Sequence, residues 1–152
     1  MPTVCIARLL KVNVTTRLLA PIVSRPLLLW LLFVGWLGLL FFASSSRPDS
    51  IPEMLFPHQD KAMHFVFFCG GGFILSGALN KSLGLKKALL LASTLMILGI
   101  AGALDEYHQQ FVPGRAGLDL LDWLADLCGA TVGVVVFRKI ASQIEASARH
   151  GI

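Results

Sequence analysis

The sequence predicts an all-α fold, a four-helix transmembrane bundle with both termini on the cytoplasmic side. Three observations carry this expectation. The 152 residues are 55% hydrophobic and only 14% charged, with a mean hydropathy of +0.73, whereas a soluble domain carries roughly 25% charged residues. Four apolar runs, 27–43, 61–79, 88–104 and 120–137, each approach the length that crosses a bilayer. Charge is also segregated between the connections, which gives the four-span arrangement a direction.

A basic N-terminal segment (1–26) precedes a four-span membrane domain (27–138) and a cytoplasmic tail (139–152). The stretch VCIARLLKV in the N-terminal segment is read as an amphipathic surface helix, and Pro21 and Pro26 punctuate its end. The run Leu27–Ala43 has no charge and carries Trp30 and Trp36. The alternative for this run is a signal peptide cleaved near FFASSS, and it leaves the rest of the organisation unchanged. Residues 44–60 form a loop broken by Pro48, Pro52 and Pro57, with IPEMLF a candidate interfacial helix. In the second run, Gly70, Gly71, Gly72 and Gly77 permit close approach between helices. NKSLGLKK (80–87) is a basic turn. The last run contains Gly129-x-x-x-Gly133, a small-residue packing face that could also serve a homo-oligomer. The tail is read as a separate short surface helix.

Ten of the 13 Lys and Arg residues fall in the N-terminal segment, the 80–87 turn and the tail; the exceptions are Arg47, Lys61 and Arg115. An excess of Lys and Arg marks the cytoplasmic side, so both termini are expected there, in a membrane crossed several times. The net charge of +4 therefore points to lipid headgroups and not to nucleic acid. The three cysteines lack zinc or CxxC spacing, and Cys69 and Cys128 are expected to be small buried hydrophobes.

Eight of the nine acidic residues lie on the opposite side. Carboxylates contribute little to orientation, so this skew calls for a separate cause. The spacing gathers them. Asp60 and His64 share a helix face, as do Asp105 and Gln109. Glu106 lies beside the latter pair. Asp119, Asp122 and Asp126 form one stripe, with Asp126 about 10 Å deeper than Asp119. A charge at such depth costs about 2.5–3.5 kcal/mol, so Asp126 needs a partner or a proton. Pro113, Gly114 and Gly117 allow the connector to turn and bring Arg115 over the acids, where its guanidinium could hold two carboxylates. Lys61 and His64 are the other cationic or titratable groups. Together these ten residues form the candidate binding site. A network that merely ties helix ends together is the structural alternative, but eight acids against three bases are poorly balanced for it.

DKAMHFVFF (60–68) and DEYHQQFVPGRAGLDLLDWLADLCGATVG (105–133) resemble the two signature regions of the VanZ-like membrane proteins. The resemblance covers about residues 27–140 and falls on Asp60, Lys61, His64, Asp105, Glu106, Gln109, Arg115, Asp122 and Gly129. Asp126 departs from it, standing where the family usually has asparagine. The resemblance implies membrane location and a link to low-level teicoplanin resistance, without naming a reaction.

Three functions are compatible with the pattern. The favoured one is a pocket for an envelope lipid headgroup or lipid-linked cell-wall precursor, with Arg115, Lys61 and His64 on phosphate. The second is a membrane enzyme on a lipid phosphate, using acid–base or divalent-metal chemistry. The third is a small proton-coupled transporter built on His64 and Asp126. No catalytic triad, HExxH, lipid phosphatase histidine set or CDP-alcohol transferase pattern is present, and neither a cofactor nor a metal ligand set is assigned.

Overall fold

The computed structural model describes residues 14–46 and 57–149. These form five helices: α1 (Val14–Val23), α2 (Pro26–Ser44), α3 (Gln59–Leu83), α4 (Lys87–Gln109) and α5 (Leu120–Arg149). There is no strand among the described residues, and α2 to α5 are each long and apolar enough to cross a membrane. The expected helices at VCIARLLKV and IPEMLF, and Arg47, lie outside the described residues.

Each helix starts and stops for a local reason. Pro26 sits at the first turn of α2, where a missing N–H costs nothing. Gly84 ends α3 in the left-handed region (φ 66°), and its N–H returns to the Asn80 carbonyl at 3.0 Å. The Asn80 amide also donates to Leu85 O at 2.8 Å. The basic turn expected over 80–87 is therefore much shorter, because 80–83 continue the helix. Pro21 lies inside α1 and does not end it.

The tail is not a separate helix. α5 runs unbroken to Arg149, since neither Gly nor Pro interrupts it after Gly133. Its apolar residues Phe137, Ala141 and Ile144 continue the helical spacing and pack in the same cluster as Leu19 and Val23 of α1.

α3 and α5 form the most extensive helix pair. Glycines make their close approach: Gly129 lies on the Phe65 carbonyl, Gly133 on the Cys69 carbonyl, and Gly72 against the backbone of Ala130. The Gly129/Gly133 face is thus consumed inside the chain and is not left for a second copy. Trp36 of α2 fits its indole into the notch at Gly71, donates to Phe67 O at 3.2 Å and stacks on Phe33 and Phe67. Trp123 of α5 donates to Gly99 O of α4 at 2.8 Å, so its polar atom is spent on a neighbouring helix. Ser76 bonds back to Gly72 O at 2.6 Å and reaches Thr94 at 3.4 Å across α3 and α4.

Outward-facing positions remain apolar around the bundle, including Leu31, Val34, Phe42, Val66, Met96, Ile100 and Val135. Such a continuous sheath suits lipid and not water. Cys128 is exposed on this sheath and Cys69 is half-buried, so the expected burial of Cys128 does not hold; both are free thiols.

A methyl group added at Gly133 meets Phe73 N at 2.7 Å and Gly72 C at 3.0 Å, backbone atoms that cannot rotate away. Gly133→Ala should therefore lower stability in micelles by about 1–3 kcal/mol. Gly70→Ala, whose added carbon meets nothing within 4 Å, should not. Equal denaturant midpoints for the two variants would refute the close α3/α5 seam.

Candidate functional site

The ends of four helices meet at one end of the bundle: the last turns of α2 and α4 and the first turns of α3 and α5. All ten predicted site residues lie there, but their partners differ in one respect from the expectation.

Lys61, on the first turn of α3, is the hub. Its ammonium donates to Asp60 at 3.0 Å, Asp119 at 2.9 Å and Asp122 at 3.0 Å, which uses all three of its protons. Asp119 caps α5: its carbonyl accepts from Trp123 N–H at 3.2 Å and its Oδ1 from Leu121 N–H at 2.8 Å. Its Oδ2 takes the lysine. The Lys61 bond, followed by the Leu121 N–H, holds the Asp119 carboxyl below its ordinary value of 3.8.

One turn further into the bundle, His64 Nδ1 meets Asp126 Oδ1 at 2.9 Å. Asp126 has no exposed surface. Its second oxygen lies against Gly102 of α4, where any side chain would collide with it. One oxygen of the deepest acid thus has a partner, while Oδ2 is buried without a hydrogen bond. The three-then-four spacing turns Asp119 and Asp122 toward Lys61 and Asp126 toward His64.

Asp105 accepts from the Gln109 amide at 2.8 Å, as their helical spacing predicted. Glu106 Oε2 accepts from the Asp119 N–H at 2.8 Å, and Glu106 O accepts from Leu118 N–H at 3.3 Å. The connector can fold onto α4 this closely because Gly117 rests on Gln110 N and Glu106 O. Gly114 (φ 83°) and Leu118 (φ 63°) both take left-handed conformations.

Arg115 does not bind the acids. Its Nε donates to Ser46 O at 3.0 Å, Nη2 to Ala43 O at 2.9 Å and Nη1 to Gln109 Oε1 at 3.2 Å. The last carbonyls of a helix lack intrahelical partners and carry the negative end of its dipole. The guanidinium caps α2 at the Ala43 carbonyl, holds Ser46 just past the helix end, and reaches Asp105 only through Gln109. The carboxylates are left to Lys61, which the sequence had placed in a supporting role.

A cavity of about 390 Å³ opens between these ends. Leu40, Met63, Phe67 and Phe68 give it an apolar lining, and Asp60, His64, Asp105, Gln109, Arg115, Asp119 and Asp122 a polar one. Glu106 and Asp126 do not line it. The sequence reading missed the apolar lining and Ser44, whose buried hydroxyl has no hydrogen-bond partner. Periodicity marks Phe67 and Phe68 as apolar without telling core from cavity lining. Among the described residues, two groups of side chains are close enough to hold a cation: Asp60, Asp119 and Asp122, and His64, Glu106 and Asp122, with ligand atoms within 4.8 Å of one another.

A carboxylate whose folded-state value is lowered stabilises the fold above the unfolded value, and loses that contribution as pH falls through the folded one. The Asp119 contribution should thus be present at neutral pH and vanish progressively below about pH 4. Asp119→Asn keeps a capping oxygen and loses the lysine pair. Its melting temperature in micelles should depend less on pH below 4 than that of the wild-type protein; identical profiles would remove Asp119 from the acid response.

Compared with known proteins, the chain matches no family model, no curated protein and no solved structure.

Proposed function

We propose that the chain is a VanZ-like multi-pass protein of a bacterial cytoplasmic membrane, with both termini in the cytoplasm. Its cavity opens on the other side and holds the polar headgroup of an envelope lipid or a lipid-linked cell-wall precursor. A contribution to low-level teicoplanin resistance follows from the same resemblance.

The observation that carries this reading is the mixed lining of the cavity. Apolar and polar side chains share it at one end of the apolar bundle. That is the environment of an amphiphile at the boundary between its chain and its headgroup. Orientation is supported by the opposite end, which carries Arg25, Lys81, Lys86, Lys87, Arg138 and Lys139.

The headgroup chemistry differs from direct phosphate capture. Lys61, His64 and Arg115 are each committed to protein acceptors. The lining therefore offers carboxylate and amide oxygens, which suit the hydroxyl and ammonium donors of a sugar or peptide headgroup. One observation favours the enzymatic alternative on a lipid phosphate: the His64–Asp126 pair resembles a general base with its orienting carboxylate.

The test is native mass spectrometry of protein reconstituted with bacterial lipid extract. The wild-type protein should retain bound lipid. Ala116→Trp, which fills the cavity from the connector, should lose most of it while keeping its helical circular dichroism. Equal retention by the variant would refute the pocket. Lipid-phosphate turnover abolished by His64→Ala would favour the enzyme instead.

A further inference from the structure

Asp122 belongs to two triangles of potential ligands. The first, with Asp60 and Asp119, is already filled by a cation of the chain itself, the Lys61 ammonium at 2.9–3.0 Å from all three. The second, with His64 and Glu106, receives a cation only at Asp122 Oδ1, from Lys61: no ion pair among the described residues brings a lysine or arginine to Glu106, and His64 pairs only with Asp126. Arg115 is held away by the carbonyls of Ala43 and Ser46.

Each member of this second triangle keeps a donor atom free. His64 uses Nδ1 on Asp126, which leaves Nε2. Asp122 uses Oδ1 on Lys61, which leaves Oδ2. Glu106 uses Oε2 on the Asp119 N–H, and its Oε1 is buried with no hydrogen-bond partner, in a residue only 3% exposed. A buried carboxylate oxygen without a partner is costly. Four acids at this end, Asp105, Glu106, Asp122 and Asp126, are buried, and direct ion pairing with Lys61 reaches only one of them.

We infer that His64, Glu106 and Asp122 form a divalent transition-metal site, with Asp126 as the positioning residue behind the histidine. A metal-bound imidazole typically donates its other N–H to a carboxylate, which fixes tautomer and ring orientation, and Asp126 stands at the Nδ1 position for that. One imidazole and two carboxylates suit Zn²⁺ or Mn²⁺ better than Mg²⁺ or Ca²⁺, which prefer oxygen throughout. Three protein ligands leave coordination positions open, and His64 and Asp122 line the cavity from which water or a headgroup oxygen would fill them. This site goes beyond the headgroup reading and does not depend on it.

The experiment uses the full chain in detergent, stripped with chelator and free of added lipid, titrated with Mn²⁺ or Zn²⁺. The wild-type protein should bind a single equivalent saturably. Pulsed electron paramagnetic resonance of the Mn²⁺ form should show coupling to an imidazole nitrogen, lost in His64→Ala. Glu106→Gln and Asp122→Asn should abolish saturable binding. Asp126→Asn should weaken it about 10–100-fold, and Glu145→Gln, at the far end of α5, should not change it. The wild-type measurement stands even if a variant fails to fold: no saturable binding, or a Mn²⁺ spectrum without nitrogen coupling, overturns the site. Lipid retention in the preceding assay is read separately, so either result can fail alone.

Discussion

One ammonium group holds the polar end of this protein together. Lys61 ties the start of α3 to the start of α5 through Asp119 and Asp122, and its own neighbour Asp60 shares the charge. Three carboxylates at hydrogen-bond distance from one cation would repel one another without it. With it, the cap of α5, the stripe of aspartates and the entrance of α3 become one rigid unit. Everything around the cavity is positioned relative to that unit.

The remaining walls are attached by interactions of a different kind. α5 approaches α3 over glycines, so the two backbones fix each other's separation with little side-chain freedom between them. α2 is fastened by the Trp36 indole in the Gly71 notch and by Arg115 on the carbonyls of Ala43 and Ser46. α4 is fastened by Trp123 and by the connector lying on Glu106. Polar groups join the ends and small residues join the middles, as expected where lipid provides no hydrophobic force between helices.

The helices and their polar residues were legible in the sequence because both depend on periodicity. Spacing alone paired Asp105 with Gln109 and put Asp126 one turn below Asp122. The partner of Arg115 was not legible, because the competing acceptors were backbone carbonyls 69 and 72 residues away, which no side-chain pattern reveals. For the same reason Lys61 was underrated: a lysine among aspartates reads as one of several bases until the shape of the connector removes the arginine. The tail reads as separate because Arg138 and Lys139 look like the end of a span, but the apolar spacing continues past them without a Gly or Pro and the helix continues with it. Gly129 and Gly133 were recognised as a contact face, but the spacing is the same whether the contact is with another copy or with α3.

That continuous α5 has a consequence for where the cavity sits. Thirty residues make a rod of about 45 Å, against a hydrocarbon layer of about 30 Å. Such a rod needs something to fix its height. Arg138 and Lys139 are exposed and, in a bilayer, their charges would anchor at the phosphate level. Asp126 is then about 18 Å from that anchor, inside the hydrocarbon layer. Held there, the two basic residues would act as a depth stop and set the immersion of the acidic cluster from the other end of the rod.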